Sequence, residues 1–188
     1  MPSRPLAITA VCAGACWIVF AVLSLVGGET TDAKLVLSST GDYVGFGHFA
    51  LSLGLTVPVM LGLRQAGRLG HAGAIVAAAG VGLQCIVISA ILVNGEETSW
   101  FGVAAPLAIL TWFAGSVALG VAIRRARVLP GWFGIVLPIA TLFAIVGSDY
   151  GTSVLLGGLL VALGSGAVQS ASARSRIAPA SAPAGNVP

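Results

Sequence analysis

Few side chains in this sequence could do chemistry, and most of them fall in two stretches. His48, Ser52 and Thr56 recur at intervals of four, so on a helix they line one face. Gln84, Cys85 and Ser89 occupy a second stretch, which ends in Asn94, Glu96 and Glu97, and Asp149 stands beside Ser148 further on. An imidazole changes charge near neutral pH. His48 with Glu96 or Asp149 would therefore be the titratable mouth of a small polar cavity floored by Ser52, Thr56 and Gln84. On that reading the ligand-binding set is His48, Ser52, Thr56, Gln84, Ser89, Glu96 and Asp149. The competing reading is that these groups hydrogen-bond neighbouring helices, at about 0.6 kcal/mol each in a membrane. Packing is the expectation for both His48 and Gln84.

The same residues exclude most enzyme chemistry. Histidine occurs only at positions 48 and 71, in stretches expected to face opposite sides, so no shared haem or metal site is expected. Cys12 and Cys16 are separated by three residues rather than the two of a dithiol redox pair, and with Cys85 they read as small buried hydrophobes. There is no His-Glu-x-x-His, no Gly-x-Ser-x-Gly and no Gly-rich loop ending in Lys-Ser or Lys-Thr. Acids within the apolar stretches, on which proton-driven transport usually relies, are missing too. No catalytic residue, cofactor or metal is expected, and the chain does not read as an enzyme.

The elements that must position these residues follow from composition. Of 188 residues, 57% are hydrophobic and only 8% charged, with a mean hydropathy of +1.01, whereas soluble domains carry about 25% charged residues. So few charges cannot cover a protein of this size against water. Six stretches free of Asp, Glu, Lys and Arg run over about 6–26, 44–63, 72–93, 102–123, 129–147 and 152–168. Each is near the 20 residues a helix needs to cross a hydrocarbon core of about 30 Å. They are apolar on every face, which excludes the alternating strands of a β-barrel. The expected fold is all-α: a polytopic transmembrane bundle of six spans over residues 1–170, followed by a disordered cytoplasmic tail over 171–188, rich in Ala, Ser and Pro.

Arginine placement orients the bundle, because short loops rich in Arg and Lys stay in the cytoplasm. Arg4, Arg64, Arg68, Arg124, Arg125, Arg127, Arg174 and Arg176 all fall on one side, and Lys34 with all six acids on the other. Both termini are thus expected in the cytoplasm and the protein in the plasma membrane. The net charge of +3 reflects this topology rather than nucleic-acid binding. Arg64, Arg68, Arg124, Arg125 and Arg127 would meet anionic lipid headgroups of the inner leaflet, at about 1 kcal/mol each. Another membrane protein, or a second copy, would be the further partner.

The first apolar run is too long for a cleaved signal peptide and reads as a retained helix. The longest connection, 27–42, contains Leu35-Val36-Leu37, a patch expected to rest on the membrane surface. Pro58 and Pro138 in the middle helices of the two halves suggest an inverted repeat, although the residues around them do not match. Among the 26 glycines, Gly73 with Ala77, Ala78 with Gly82, Ser116 with Gly120 and Ala162 with Gly166 have the spacing that lets helices approach closely in lipid.

One segment carries a family likeness. Arg124-Arg125-Ala126-Arg127-Val128-Leu129-Pro130-Gly131-Trp132-Phe133-Gly134 sets a basic loop before Leu-Pro-x-Trp-x-Gly. It resembles a recurring feature of small six-helix bacterial integral membrane proteins of unknown function. The likeness covers about a dozen residues and implies architecture, with no activity to transfer. Physically, the proline would start the helix, Trp132 anchor it at the interface and Gly134 allow close packing.

Overall fold

The computed structural model describes residues 4–27, 36–146 and 151–177, with side chains described up to 25 in the first segment and up to 166 in the last. Six helices account for nearly all of it: α1 (Arg4–Gly27), α2 (Thr40–Gly62), α3 (Gly67–Asn94), α4 (Phe101–Ala126), α5 (Phe133–Val146) and α6 (Val154–Ile177). Each corresponds to one of the expected apolar runs. A 3-10 turn, Leu63–Gln65, joins α2 to α3. Among the described residues the only strand-like pairing is an isolated antiparallel bridge between Val36 and Glu96.

Local chemistry explains the helix ends. Helix α2 opens on a capping box: the Asp42 N–H donates to Ser39 Oγ (3.1 Å), while Asp42 Oδ2 accepts from the Ser39 and Ser38 N–H groups (2.8 and 2.9 Å). Its start is therefore earlier than residue 44. Helix α3 stops at Gly95, whose φ of 75° is left-handed and whose N–H donates to the Ile91 carbonyl (2.8 Å). Helix α5 begins at Phe133 rather than at 129, because Pro130 and Gly131 are spent on a turn in which the Phe133 N–H donates to the Pro130 carbonyl (2.9 Å). Helix α6 runs on to Ile177, into the segment expected to be disordered, through alanines and arginines with good helix propensity. Residues 178–188 lie outside the described part.

Every helix packs antiparallel to its sequence neighbours, and α6 returns to α1, so the six form a closed ring. Two seams are the most extensive. In the first, Gly70, Gly73, Ala77 and Gly80 of α3 face Ala122, Leu119, Gly115 and Trp112 of α4 in turn. The three-four spacing continues to buried Gln84 and Val87, opposite buried Ala108 and Ala105. This is the heptad pattern of an antiparallel coiled coil, tightened by small residues. In the second seam, Gly157 and Gly164 of α6 face Gly14 and Ala7 of α1; a Cβ on Gly157 would lie 2.8 Å from the Gly14 carbonyl oxygen. Of the four small-residue pairs expected from sequence, Gly73 with Ala77 lies in the α3–α4 seam, and Ser116 with Gly120 packs against α5. Gly82 meets open space, and Ala162 and Gly166 are exposed. Neither pair makes a close backbone approach, since a Cβ on Gly82 or Gly166 would meet nothing within 4 Å, although Ala78 is itself buried in the core.

The inside and outside of the ring differ in an informative way. Alanine and glycine share the inside with leucine, valine and isoleucine and with the rings of Trp17, Trp112, Phe20 and Phe133, while Leu25, Val93, Val103, Leu110 and Val146 are among the large apolar residues turned outward. Val93 is 84% exposed. Water would penalise such a surface, at about 25 cal/mol per Å². Among the described residues, four helices are long and apolar enough to cross a membrane: Arg4–Leu25, Thr40–Gln65, Gly67–Asn94 and Phe101–Ala126. Phe133–Val146 is a shorter apolar helix, and Val154–Gly166 is the apolar part of α6 whose side chains are described. The molecule is an all-helical bundle whose surface fits a membrane-embedded protein.

Candidate functional site

The face of α2 that carries His48, Ser52 and Thr56 turns its hydrogen bonds inward along its own backbone. His48 Nδ1 lies 2.9 Å from the Val44 carbonyl, and since a carbonyl only accepts, Nδ1 bears the proton in this contact. Ser52 Oγ donates to the His48 carbonyl (2.7 Å) and Thr56 Oγ1 to the Ser52 carbonyl (2.7 Å). Hydroxyls one turn apart on a helix do this because the carbonyl four residues back is within reach. His48 is half-buried, whereas Ser52 and Thr56 are fully buried.

The last member of that ladder has a second partner. Trp17, at the middle of α1 and fully buried, donates from Nε1 to Thr56 Oγ1 (3.0 Å). Its ring packs edge-on against Phe49 (centroids 5.6 Å apart) and Phe20 (6.1 Å), and lies 6.0 Å from the ring of Trp112 on α4. Phe20 and Phe49 stack at 4.6 Å. Helices α1, α2 and α4 thus meet in one aromatic cluster inside the ring. Ala10 and Ala13, two turns and one turn before Trp17, are buried in the same core.

Helix α3 divides the remaining candidates. Gln84 is buried and its Oε1 has no hydrogen-bond partner. Ser89, five residues on and so about 140° around the helix, is exposed and on a different face. Cys85 donates from Sγ to the Ala50 carbonyl of α2 (3.5 Å), and all three cysteines are free thiols. Glu96 lies in the turn after α3, where its backbone pairs with Val36, and the neighbouring Leu37 N–H donates to the Gly95 carbonyl (2.7 Å). Leu37 is buried against the core rather than laid on a surface, because this bond draws it over the end of the bundle. Asp149 lies outside the described residues. The structure therefore brings Ser52 and Thr56 together with Trp17, sets Gln84 beside α4, and leaves Ser89 apart.

Trp17 and Trp112 were not legible as polar contributors in the sequence. A signal exists, however: Trp100 and Trp132 flank helix ends, whereas Trp17 and Trp112 sit mid-helix. A mid-helix indole in an apolar bundle needs an acceptor for its N–H.

Antiparallel packing gathers the arginines at one end. Arg4, Arg64, Arg68, Arg124, Arg125 and Arg127 are all exposed there. Arg124 and Arg125 with Val121 line a shallow depression at the end of α4. Arg127 closes α4 with φ 52°, a left-handed conformation unusual for a non-glycine residue. Gly134 lets α5 approach: a Cβ there would overlap the Gly120 carbonyl and lie 2.6 Å from Arg124 Cγ. The opposite end holds Asp42, Glu96 and Glu97. No group of three or more His, Cys, Asp or Glu side chains suited to a metal ion occurs among the described residues. Comparison with protein-family models, curated proteins and solved structures finds no match to this chain.

Proposed function

We propose that the chain is a six-span protein of the bacterial plasma membrane, both ends cytoplasmic, serving as a structural component or subunit beside another membrane protein. Four long apolar helices and the outward apolar surface support the membrane setting. The closed antiparallel ring supports six spans, since α5 and α6 continue the alternation and their apolar lengths are extended by the turns beside them. Arginine at one end supports the orientation, and the exposed Arg64, Arg68, Arg124, Arg125 and Arg127 would then lie against anionic headgroups. The observation that carries the structural role is the bond from Trp17 to Thr56. It commits the α2 polar face to holding α1 and α2 together.

A second reading, a small-molecule binder or carrier, keeps one specific observation in its favour. Gln84 Oε1 and the Trp112 indole nitrogen are both buried without a hydrogen-bond partner. Native mass spectrometry from lipid nanodiscs separates the two. Wild type and His48→Ala are expected to release only protein and lipid masses, with fewer retained anionic lipids when Arg124 and Arg125 are changed to Gln. A non-lipid small-molecule mass on the wild type that His48→Ala loses would replace the structural reading with the carrier one.

A further inference from the structure

We propose that the α3–α4 seam binds one internal water molecule, held between the Trp112 indole N–H and the Gln84 side-chain oxygen. Both atoms are buried without a partner, and they are chemical complements: Nε1 only donates and Oε1 only accepts. Trp112 is 1% exposed and Gln84 8%.

Register brings them together. The Trp112 backbone lies against Gly80, and one further turn places Gln84 opposite Ala108. Helical side chains lean toward their own N-terminus. In an antiparallel pair, Gln84 therefore leans toward the level of Trp112, and Trp112 toward the level of Gln84. The two polar ends share one space between adjacent turns. Gly80 lets the two backbones touch at this level: a Cβ there would lie 2.6 Å from the Trp112 Cα and 2.8 Å from the Ala108 carbonyl oxygen. A buried water typically takes about three hydrogen bonds. The indole N–H and the amide oxygen supply two of them, one as donor and one as acceptor.

The bond from Trp17 to Thr56 shows why the site is at Trp112 and not at the other buried indole. Trp17 has a hydroxyl within 3.0 Å, whereas Trp112, whose ring lies 6.0 Å away, has none. The only other buried polar side-chain atom without a partner among the described residues is Ser153 Oγ, at the start of α6. The inference does not depend on the direction in which the helices cross a membrane.

The test is proton NMR of the full chain in nanodiscs with 15N-labelled tryptophan, whose four indole signals are assigned by single Trp→Phe variants. The Trp112 Hε1 proton is expected to show a dipolar cross-peak at the water frequency, with the sign of a long-lived water. Gln84→Leu is expected to abolish that cross-peak and move the Trp112 proton upfield. The Trp17, Trp100 and Trp132 signals should hold their positions, which certifies the fold. Gln84→Met, closer in shape to glutamine, serves if the leucine variant does not fold. A Trp112 proton with no water cross-peak in the wild type overturns the proposal. So does a cross-peak from a non-water solute at that position.

Discussion

Thr56 is the residue on which most of the buried polar chemistry turns, because it donates to its own helix and accepts from α1. Removing its oxygen would leave the Trp17 indole N–H buried without an acceptor, which costs about 1–3 kcal/mol. Thr56→Val is accordingly expected to lower stability by that amount, and Thr56→Ser by less than about 1 kcal/mol. Equilibrium unfolding of the purified protein in mixed micelles distinguishes these outcomes, and equal losses would show that the hydroxyl contributes nothing beyond shape. His48, Ser52 and Thr56 were legible as one face of a helix from their spacing alone. Their partners were not, since a sequence shows which atoms can donate and not which neighbour stands within 3 Å. Ser89 illustrates the other limit: it follows Gln84 in the chain, yet the helical turn puts it on an exposed face.

At the scale of elements, the decisive contacts are backbone against backbone. A Cβ on Gly80 or Gly115 would overlap the main chain of the facing helix, which cannot yield as a flexible side chain can. Gly80→Ala is therefore expected to cost about 1–3 kcal/mol, the range for overpacking. Gly82, two residues away, faces open space. Gly82→Ala should be neutral, or stabilising by up to about 1 kcal/mol through lower backbone entropy in the unfolded chain. Thermal unfolding followed by circular dichroism tests the pair, and matching losses would sink the assignment of the seam. The small-residue spacing in the sequence picked out Gly73 with Ala77 and Ser116 with Gly120, which pack. It equally picked out Ala78 with Gly82 and Ala162 with Gly166, whose glycines face open space where a Cβ would stand. Local spacing makes close approach feasible, and the choice of face is made by the partner helix.

For the whole molecule, orientation is the open quantity with a direct test. In a variant with Cys12, Cys16 and Cys85 replaced by Ala, a single cysteine at Ser99 is expected to react with an impermeant maleimide on intact cells. A cysteine at Gly131, at the arginine end, should react only after permeabilisation; the reverse pattern would invert the proposed topology. Composition, the length of the apolar runs and the side on which each arginine falls suffice for an all-helical bundle of six helices with one basic end. Those properties are sums over many residues, so single misreadings at helix ends, such as α5 opening after its proline turn, leave them intact. Tertiary structure alone decided that the ring closes through α1 and α6, that Trp17 takes Thr56, and that Trp112 and Gln84 are each left with a buried polar atom unpartnered. Each of these depends on the register between two helices. Where neither partner carries a charge, register is set by which surfaces fit, a property of pairs that no single stretch of sequence contains.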